Sequence, residues 1–250
     1  MKRGWCCCLV PNWDWAREFL VVACVLSVYF AVNIGSADRE QVAMGNAEDL
    51  ISLERSLGIF LEAEVQGAVM GTPLVHVLWA VYIFVHPVIT AGFIVVAFLS
   101  GSSSYPYVRN VFVIFSLVSF AIFFTYPVAP PRLLPGQGFV DMLHSDAPVS
   151  YHSDLARLLL NPYAAMPSVH FGYSLIIGAM LFRTSSNRLV TSLGIAYPLL
   201  MIISIVASAN HLIVDALASV IILAIIYYLL ARLDLPARLI RIFKGFAGIA

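Results

Sequence analysis

Charge is scarce in this sequence. Asp, Glu, Lys and Arg make up 11% of its 250 residues, against about 25% in a soluble domain, while 61% of the chain is hydrophobic. Those proportions exclude an ordinary soluble domain and point to an integral membrane protein. Neither sign is in excess. Fourteen basic and fourteen acidic residues leave a formal net charge of zero, so no field gathers nucleic acid or a strongly charged protein partner. Cysteine is sparse too: Cys6, Cys7 and Cys8 are consecutive and Cys24 lies in an apolar run. That pattern gives neither a disulfide framework nor a zinc-ligand spacing, and it leaves a non-catalytic role or lipidation of the triplet. Internal repeats and linkers are missing, which leaves one domain over residues 1–250. The glycines of Pro135-Gly136-Gln137-Gly138 follow no strand, so they read as a turn and not as a nucleotide cradle.

What is present is a series of apolar runs, read as spans at about 19–37, 72–101, 110–126, 168–182, 189–208 and 211–231. Pro11, Trp13, Asp14, Arg17 and Glu18 separate the basic start from the first run, which argues against a cleavable signal peptide. Pro127, Pro130 and Pro131 stop the third span, and Pro198 predicts a kink in the fifth. The expected fold class is all-α. It is a polytopic membrane protein, a six-transmembrane-helix bundle with a surface amphipathic helix between spans one and two. That helix is read from Leu50, Leu53, Leu57 and Leu61, which recur at spacings of three and four. Its acidic residues, Glu54 and Glu62 among them, are read as a solvated face.

Two clusters stand out against this apolar background. Asn161 to His170 runs from an irregular, Pro-rich segment into an apolar run, so Ser168 and His170 fall at a helix N-terminus. Unpaired N–H groups and the helix dipole make such a terminus a ready site for phosphate. The second cluster is Asn210 to Asp215, where His211 and Asp215, four apart, are placed on one helical face. An unpaired carboxylate costs about 2.5 to 3.5 kcal/mol at mid-span, so a partner is expected for Asp215, and His211 is one turn away. In the second span Tyr82 and His86 are four apart and are expected to hydrogen-bond, and His86 is a functional candidate as an ionisable group inside a span. His144 and His152 lack helical pairing and read as solvated loop residues.

Basic residues set an orientation. With the N-terminus in the cytoplasm, ten fall inside (Lys2, Arg3, Arg17, Arg109, Arg183, Arg188, Arg232, Arg238, Arg241 and Lys244) and four outside (Arg39, Arg55, Arg132 and Arg157), as the positive-inside rule requires. Both termini are then cytoplasmic. The same alternation brings Arg132, His170, His211 and Asp215 to the extracytoplasmic face.

Pro167-Ser168-Val169-His170 followed by His211-x-x-x-Asp215 resembles the type 2 phosphatidic acid phosphatase superfamily, whose second and third signatures read P-S-x-H and S-R-x5-H-x3-D. Ala129-Pro130-Pro131-Arg132 and the run from Asn161 to His170 look more like its inositol phosphorylceramide synthase branch. The resemblance covers roughly residues 40 to 231. It implies that His211 is a nucleophile forming a phosphohistidine, that Asp215 orients it, and that His170 protonates the leaving oxygen. Arg132 and Ser168, with helix-terminal N–H groups, would hold the phosphoryl oxygens, and Asn210 and His86 complete the candidate substrate-binding set. No metal and no other cofactor enters that scheme. The substrate implied is a lipid phosphate or phospholipid in the plasma membrane bilayer, and the acceptor is water or an alcohol.

The chain departs from the first and third signatures. Thr125 stands where a lysine is expected, Leu133 where a proline is, and Ile205 where an arginine is. A site poorer in cations suits a phosphodiester or diphosphate better than a dianionic monoester, which favours head-group transfer. Two other functions compete. A lipid transporter or flippase would use a non-catalytic polar site, but carriers place such groups at the midplane between repeats. A metal-dependent oxygenase would use His170, His211 and Asp215 as a facial triad.

Overall fold

In lipid only a backbone bonded to itself can span, so apolar runs free of internal breakers become helices. The computed structural model describes residues 15–36, 38–141 and 161–232. Cys6 to Cys8, His144, His152, Arg157 and the basic residues at both ends of the chain lie outside them. In order, the helices are α1 (Trp15–Ser36), α2 (Glu40–Leu57), α3 (Glu62–Val69), α4 (Pro73–Ala80), α5 (His86–Leu99), α6 (Tyr105–Thr125), α7 (Val169–Thr184), α8 (Arg188–Ala207) and α9 (Ile213–Arg232). A π-helical turn, Val81–Val85, joins α4 to α5. Among the described residues the exceptions to helix are loops and an isolated parallel bridge between Val128 and Ala164.

Five stretches are long and apolar enough to cross a membrane: α1, Pro73–Leu99, α6, α8 and α9. They mark an integral membrane protein. The expected fourth span is the exception to the six, because α7 has only 16 residues; at 1.5 Å per residue it is about 24 Å long, against about 30 Å for a hydrocarbon core. The third span starts earlier than expected, at Tyr105, and α8 continues through Pro198.

α7 is the central helix, packed against α5, α6, α8 and α9. Its closest neighbour is α8, and glycine makes the approach possible. A Cβ on Gly178 would run into the Gly194 carbonyl oxygen, and one on Gly194 would stand 2.8 Å from the Gly178 oxygen. Small residues at a helix crossing let backbones touch, the usual way membrane helices pack. At the far end of α6, Arg109 pairs with Glu18 of α1, and the Tyr105 hydroxyl donates to the same carboxylate (2.9 Å).

The α2 helix does not bury its leucines. Leu53 and Leu57, with Leu61 just beyond, are about half exposed, and the buried face is Ala43, Ala47, Ile51 and Glu54. Small side chains let α2 settle onto Val128, Ala129, Tyr163, Ala165 and Leu212. Backbone polar groups there need partners: the Ala129 N–H donates to Ala43 O (3.0 Å) and Asn46 Nδ2 to Pro127 O (2.8 Å). Left-handed Gly58 (φ 69°) then ends α2, with the Ile59 N–H on Glu54 O (2.9 Å), and turns the chain into α3.

At the same end of the bundle the α6–α7 and α8–α9 connections are tied together. Val128 N–H donates to Tyr163 O (2.9 Å), Ala165 N–H to Val128 O (3.1 Å), Arg132 N–H to Ala209 O (2.9 Å) and Ser168 N–H to Asp215 O (3.1 Å).

The α7–α8 crossing yields a test. Gly178→Val is expected to destabilise the protein by about 1–3 kcal/mol through overpacking, read as a lower thermal unfolding midpoint in detergent. An unchanged midpoint would mean that the crossing is loose.

Candidate active site

α8 ends in a tight turn at Ala209, whose φ of 49° is left-handed. That conformation costs a residue with a Cβ about 1–2 kcal/mol, and it is held by the Asn210 N–H on Ile205 O (3.0 Å) and by Arg132 N–H on Ala209 O. His211 comes two residues later, before α9 begins at Ile213. The expected shared helical face is therefore not formed: Asp215 lies in the first turn of α9 and His211 lies outside it.

The imidazole finds a different principal partner. Its Nδ1 is 2.8 Å from the Ala165 carbonyl oxygen and 3.4 Å from Asp215 Oδ2. A carbonyl oxygen can only accept, so Nδ1 carries the hydrogen and Nε2 keeps its lone pair. His211 is 3% exposed, and its Nε2 has no hydrogen-bond partner among the described residues. Asp215 works mainly on the backbone around it. Its Oδ2 accepts the Leu212 N–H (2.8 Å), as an acidic residue three places into a helix often reaches back to the cap.

His170 occupies the first turn of α7, behind Ser168 as N-cap. Ser168 Oγ accepts the Phe171 N–H (3.4 Å). The N–H groups of Val169 and His170 have no partner among the described residues. The His170 ring lies on Tyr82 (centroids 4.2 Å apart), 5.1 Å from His86 and 5.9 Å from His211. His86 does not bond to Tyr82 as expected. Its Nδ1 meets the Tyr197 hydroxyl (2.6 Å) and its Nε2 lies 3.4 Å from Thr90 Oγ1. The π-helical turn Val81–Val85 carries Tyr82 and runs straight into His86, and such turns are frequent at functional sites.

Arg132 reaches the cluster through Asn210, its Nε donating to Asn210 Oδ1 (2.8 Å), while its Nη1 lies 3.6 Å from Asp141 Oδ2. Asn210 Nδ2 in turn donates to Ser208 Oγ (2.8 Å). His211, Asp215, His170, Ser168, Arg132, Asn210 and His86 thus form one neighbourhood, linked directly or through a single residue.

Two residues of that neighbourhood were not expected in it. Glu54 and Glu62, read from the sequence as part of a solvated face, are fully buried. Glu62 Oε1 accepts the Ile213 N–H and Glu54 Oε1 the Val214 N–H, both at 2.7 Å. Together with Asp215 they occupy the N-terminus of α9, where the helix dipole favours negative charge. The one sequence signal was the run Ala43, Ala47, Ile51, Glu54 at helical spacing, which the stronger leucine repeat obscured.

Fold and cluster define a helical membrane protein with a candidate site at one end of its bundle, where His86, His170 and His211 gather. Residues 48–229 match the model of the PAP2 superfamily, and the chain belongs to that superfamily. Membership makes it a phosphatase-type enzyme. No curated protein and no solved structure matches the chain.

Burial, and then its bond to Glu62, push Glu54 from an ordinary value of 4.5 up to about 8. A raised folded value means that the native state holds a proton the unfolded chain has released. The stability it contributes is full below about pH 4.5 and is lost as pH rises through about 8. The unfolding midpoint should fall between pH 5 and pH 8, and Glu54→Gln should flatten that fall. Parallel profiles for the two proteins would show that Glu54 holds no such proton.

Proposed function

We propose that the protein transfers the phosphoryl head group of a lipid-linked phosphate, through a phosphohistidine on His211, at the extracytoplasmic face of the plasma membrane. The observation that carries this reading is the Ala165 carbonyl on Nδ1, which in the neutral ring puts the lone pair on Nε2, buried and without a partner among the described residues. An imidazole held in one tautomer with a free nitrogen is an activated nucleophile.

In the first step Nε2 forms a bond to phosphorus and the bond to the leaving oxygen breaks, with His170 supplying that oxygen's proton. In the second, water or an alcohol attacks the phosphohistidine, His170 takes its proton, and His211 is regenerated. The open N–H groups of Val169 and His170, the Ser168 hydroxyl and Arg132 hold the phosphoryl oxygens, where charge is spread in the transition state. Asp215 lies 3.4 Å from Nδ1 and steadies the positive charge on the ring. Asn210 orients Arg132, and His86 backs His170. No step uses a metal ion or another cofactor. Thr125 and Ile205 leave the site with fewer cations than the superfamily signatures, which favours a phosphodiester or diphosphate and head-group transfer of the inositol phosphorylceramide synthase kind.

In this reading α7 is the fourth of six spans. Its neighbours α5, α6, α8 and α9 shield it from lipid, so a short helix is tolerated. The exposed leucines at positions 53, 57 and 61 then rest on the membrane surface, and both chain termini are cytoplasmic.

Chemistry and orientation are tested separately. Alkaline quenching with a radiolabelled lipid phosphate should trap an acid-labile phosphoenzyme in the wild type and none in His211→Ala. His170→Ala should lose about 10² to 10⁴-fold on a lipid alkoxide leaving group and far less on a nitrophenyl phosphate, which departs without a proton. Equal losses on both substrates, or a phosphoenzyme surviving in His211→Ala, would mean that the roles are misassigned. For orientation, a cysteine replacing Gln137 in a cysteine-free background should react with an impermeant thiol reagent on intact cells, and one replacing Asn187 should not. The reverse pattern would put the site in the cytoplasm.

A further inference from the structure

At the base of the His211 stretch two buried carboxyl groups, Glu54 and Glu62, accept N–H groups of one helix end. Glu62, the first residue of α3, is satisfied as a carboxylate: Oε1 accepts the Ile213 N–H (2.7 Å) and Oε2 the Leu61 N–H (3.0 Å). Glu54, in the last turn of α2, accepts the Val214 N–H on Oε1 (2.7 Å), but no N–H reaches its buried Oε2. An acceptor without a donor at full burial is costly. A proton on Oε2 removes that cost, since it turns the oxygen into a donor, and Glu62, held on the neighbouring N–H of the same helix end, is the side-chain partner of Glu54.

The charged surroundings support one shared proton. Asp215 of α9 is the third carboxylate facing the pair, and His211 lies beyond it. Arg55, beside Glu54 on α2, turns away to Gln137 Oε1 (2.8 Å) and to the Phe60 ring. The α9 dipole and its N–H groups stabilise negative charge at this end, yet three adjacent buried anions exceed what one helix end compensates.

We propose that Glu54 and Glu62 are positioning residues of the active site, a buried carboxyl pair that shares one proton carried on Glu54 Oε2 and fixes the stretch presenting His211 by holding the Ile213 and Val214 N–H groups. Neither touches substrate. Both act through the backbone from residue 211 to 214, so a surface segment preceding the second span is tied to the chemistry more than 140 positions away; the recorded separations are 151 and 160 residues. Raising the pH removes the shared proton, sets two anions against each other and loosens the stretch. The kinetic part of this inference rests on His211 being the nucleophile.

The test uses the full chain in lipid nanodiscs, with Glu54→Met, which keeps bulk but not the acceptor, and Glu54→Gln, which keeps Oε1 and donates from Nε2 to Glu62. Two quantities are read: deuterium uptake by the peptide covering residues 209–216, and kcat and KM against pH on a lipid phosphate. For Glu54→Met, uptake at Ile213 and Val214 should rise and kcat should fall roughly 10 to 100-fold, with KM within about threefold, the scale expected of a misplaced catalytic group. Glu54→Gln should recover both to within about threefold and abolish the wild-type fall in kcat above about pH 8. Normal uptake and kcat in Glu54→Met, or Glu54→Gln as impaired as Glu54→Met, would overturn the proposal. If Glu54→Met does not fold, an alkaline fall in Glu54→Gln identical to the wild type overturns it equally. Uptake behaving as expected while His211→Ala still turns over would leave the carboxyl clamp standing and sink the nucleophile assignment.

Discussion

Helix ends inside a membrane protein leave backbone N–H groups that the bilayer cannot satisfy, and each end must find its own partners. Two helix N-termini meet at this site and resolve that constraint in opposite ways. α9 is closed: Glu62, Glu54 and Asp215 take the N–H groups of Ile213, Val214 and Leu212. Among the described residues α7 is left open at Val169 and His170, with Ser168 capping only Phe171. One end is thus already occupied by carboxylates and the other is the one the proposed phosphoryl site uses. The bond from Ser168 N–H to Asp215 O holds the two ends together (3.1 Å).

The helical bundle was legible because apolar runs and prolines report directly on what lipid allows. That His170, His211, Asp215, Ser168 and Arg132 lie together was legible for a narrower reason: they are polar groups among apolar neighbours, which marks them as candidates. What escaped was set by contacts between distant segments. Glu54 belongs to a stretch with seven acidic residues, and nothing local distinguishes the buried ones from those in water. The leucine repeat drew attention from the opposite face of α2, where Ala43, Ala47, Ile51 and Glu54 are buried while Leu53 and Leu57 stay exposed. His211 and Asp215 were given one helical face because spacing alone does not show that a left-handed turn at Ala209 delays the start of α9. Likewise the partner of Nδ1 is a main-chain carbonyl, and a carbonyl has no signature in sequence.

The economy of cations follows the same logic. Where the superfamily signatures place basic residues, this chain has Thr125 and Ile205, and Ile205 is fully buried in the packing around Met201 and Ala216. Ile205 instead supplies a carbonyl, accepting the Asn210 N–H at 3.0 Å. The position has become part of the scaffold that sets Asn210, and Asn210 in turn holds Arg132 by its Nε. The Arg132 guanidinium is thus oriented from behind, which suits the phosphoryl-holding role proposed for it, since a planar fork binds such oxygens only when presented edge-on.

The two histidines are held in different ways, and the difference fits the roles proposed for them. A nucleophile must keep one tautomer throughout, and His211 has its Nδ1 hydrogen committed to Ala165 O, an acceptor that cannot give a proton back. A group that donates a proton in one step and takes one in the next must pass between two protonation states. A strong fixed hydrogen bond would favour one of them. His170 is held instead by the face of Tyr82 and by the nearby His86 ring, with no hydrogen bond to its ring among the described residues. Ring packing fixes where the imidazole lies without a hydrogen bond, so in the proposed role the contact that positions the acid does not also choose its charge.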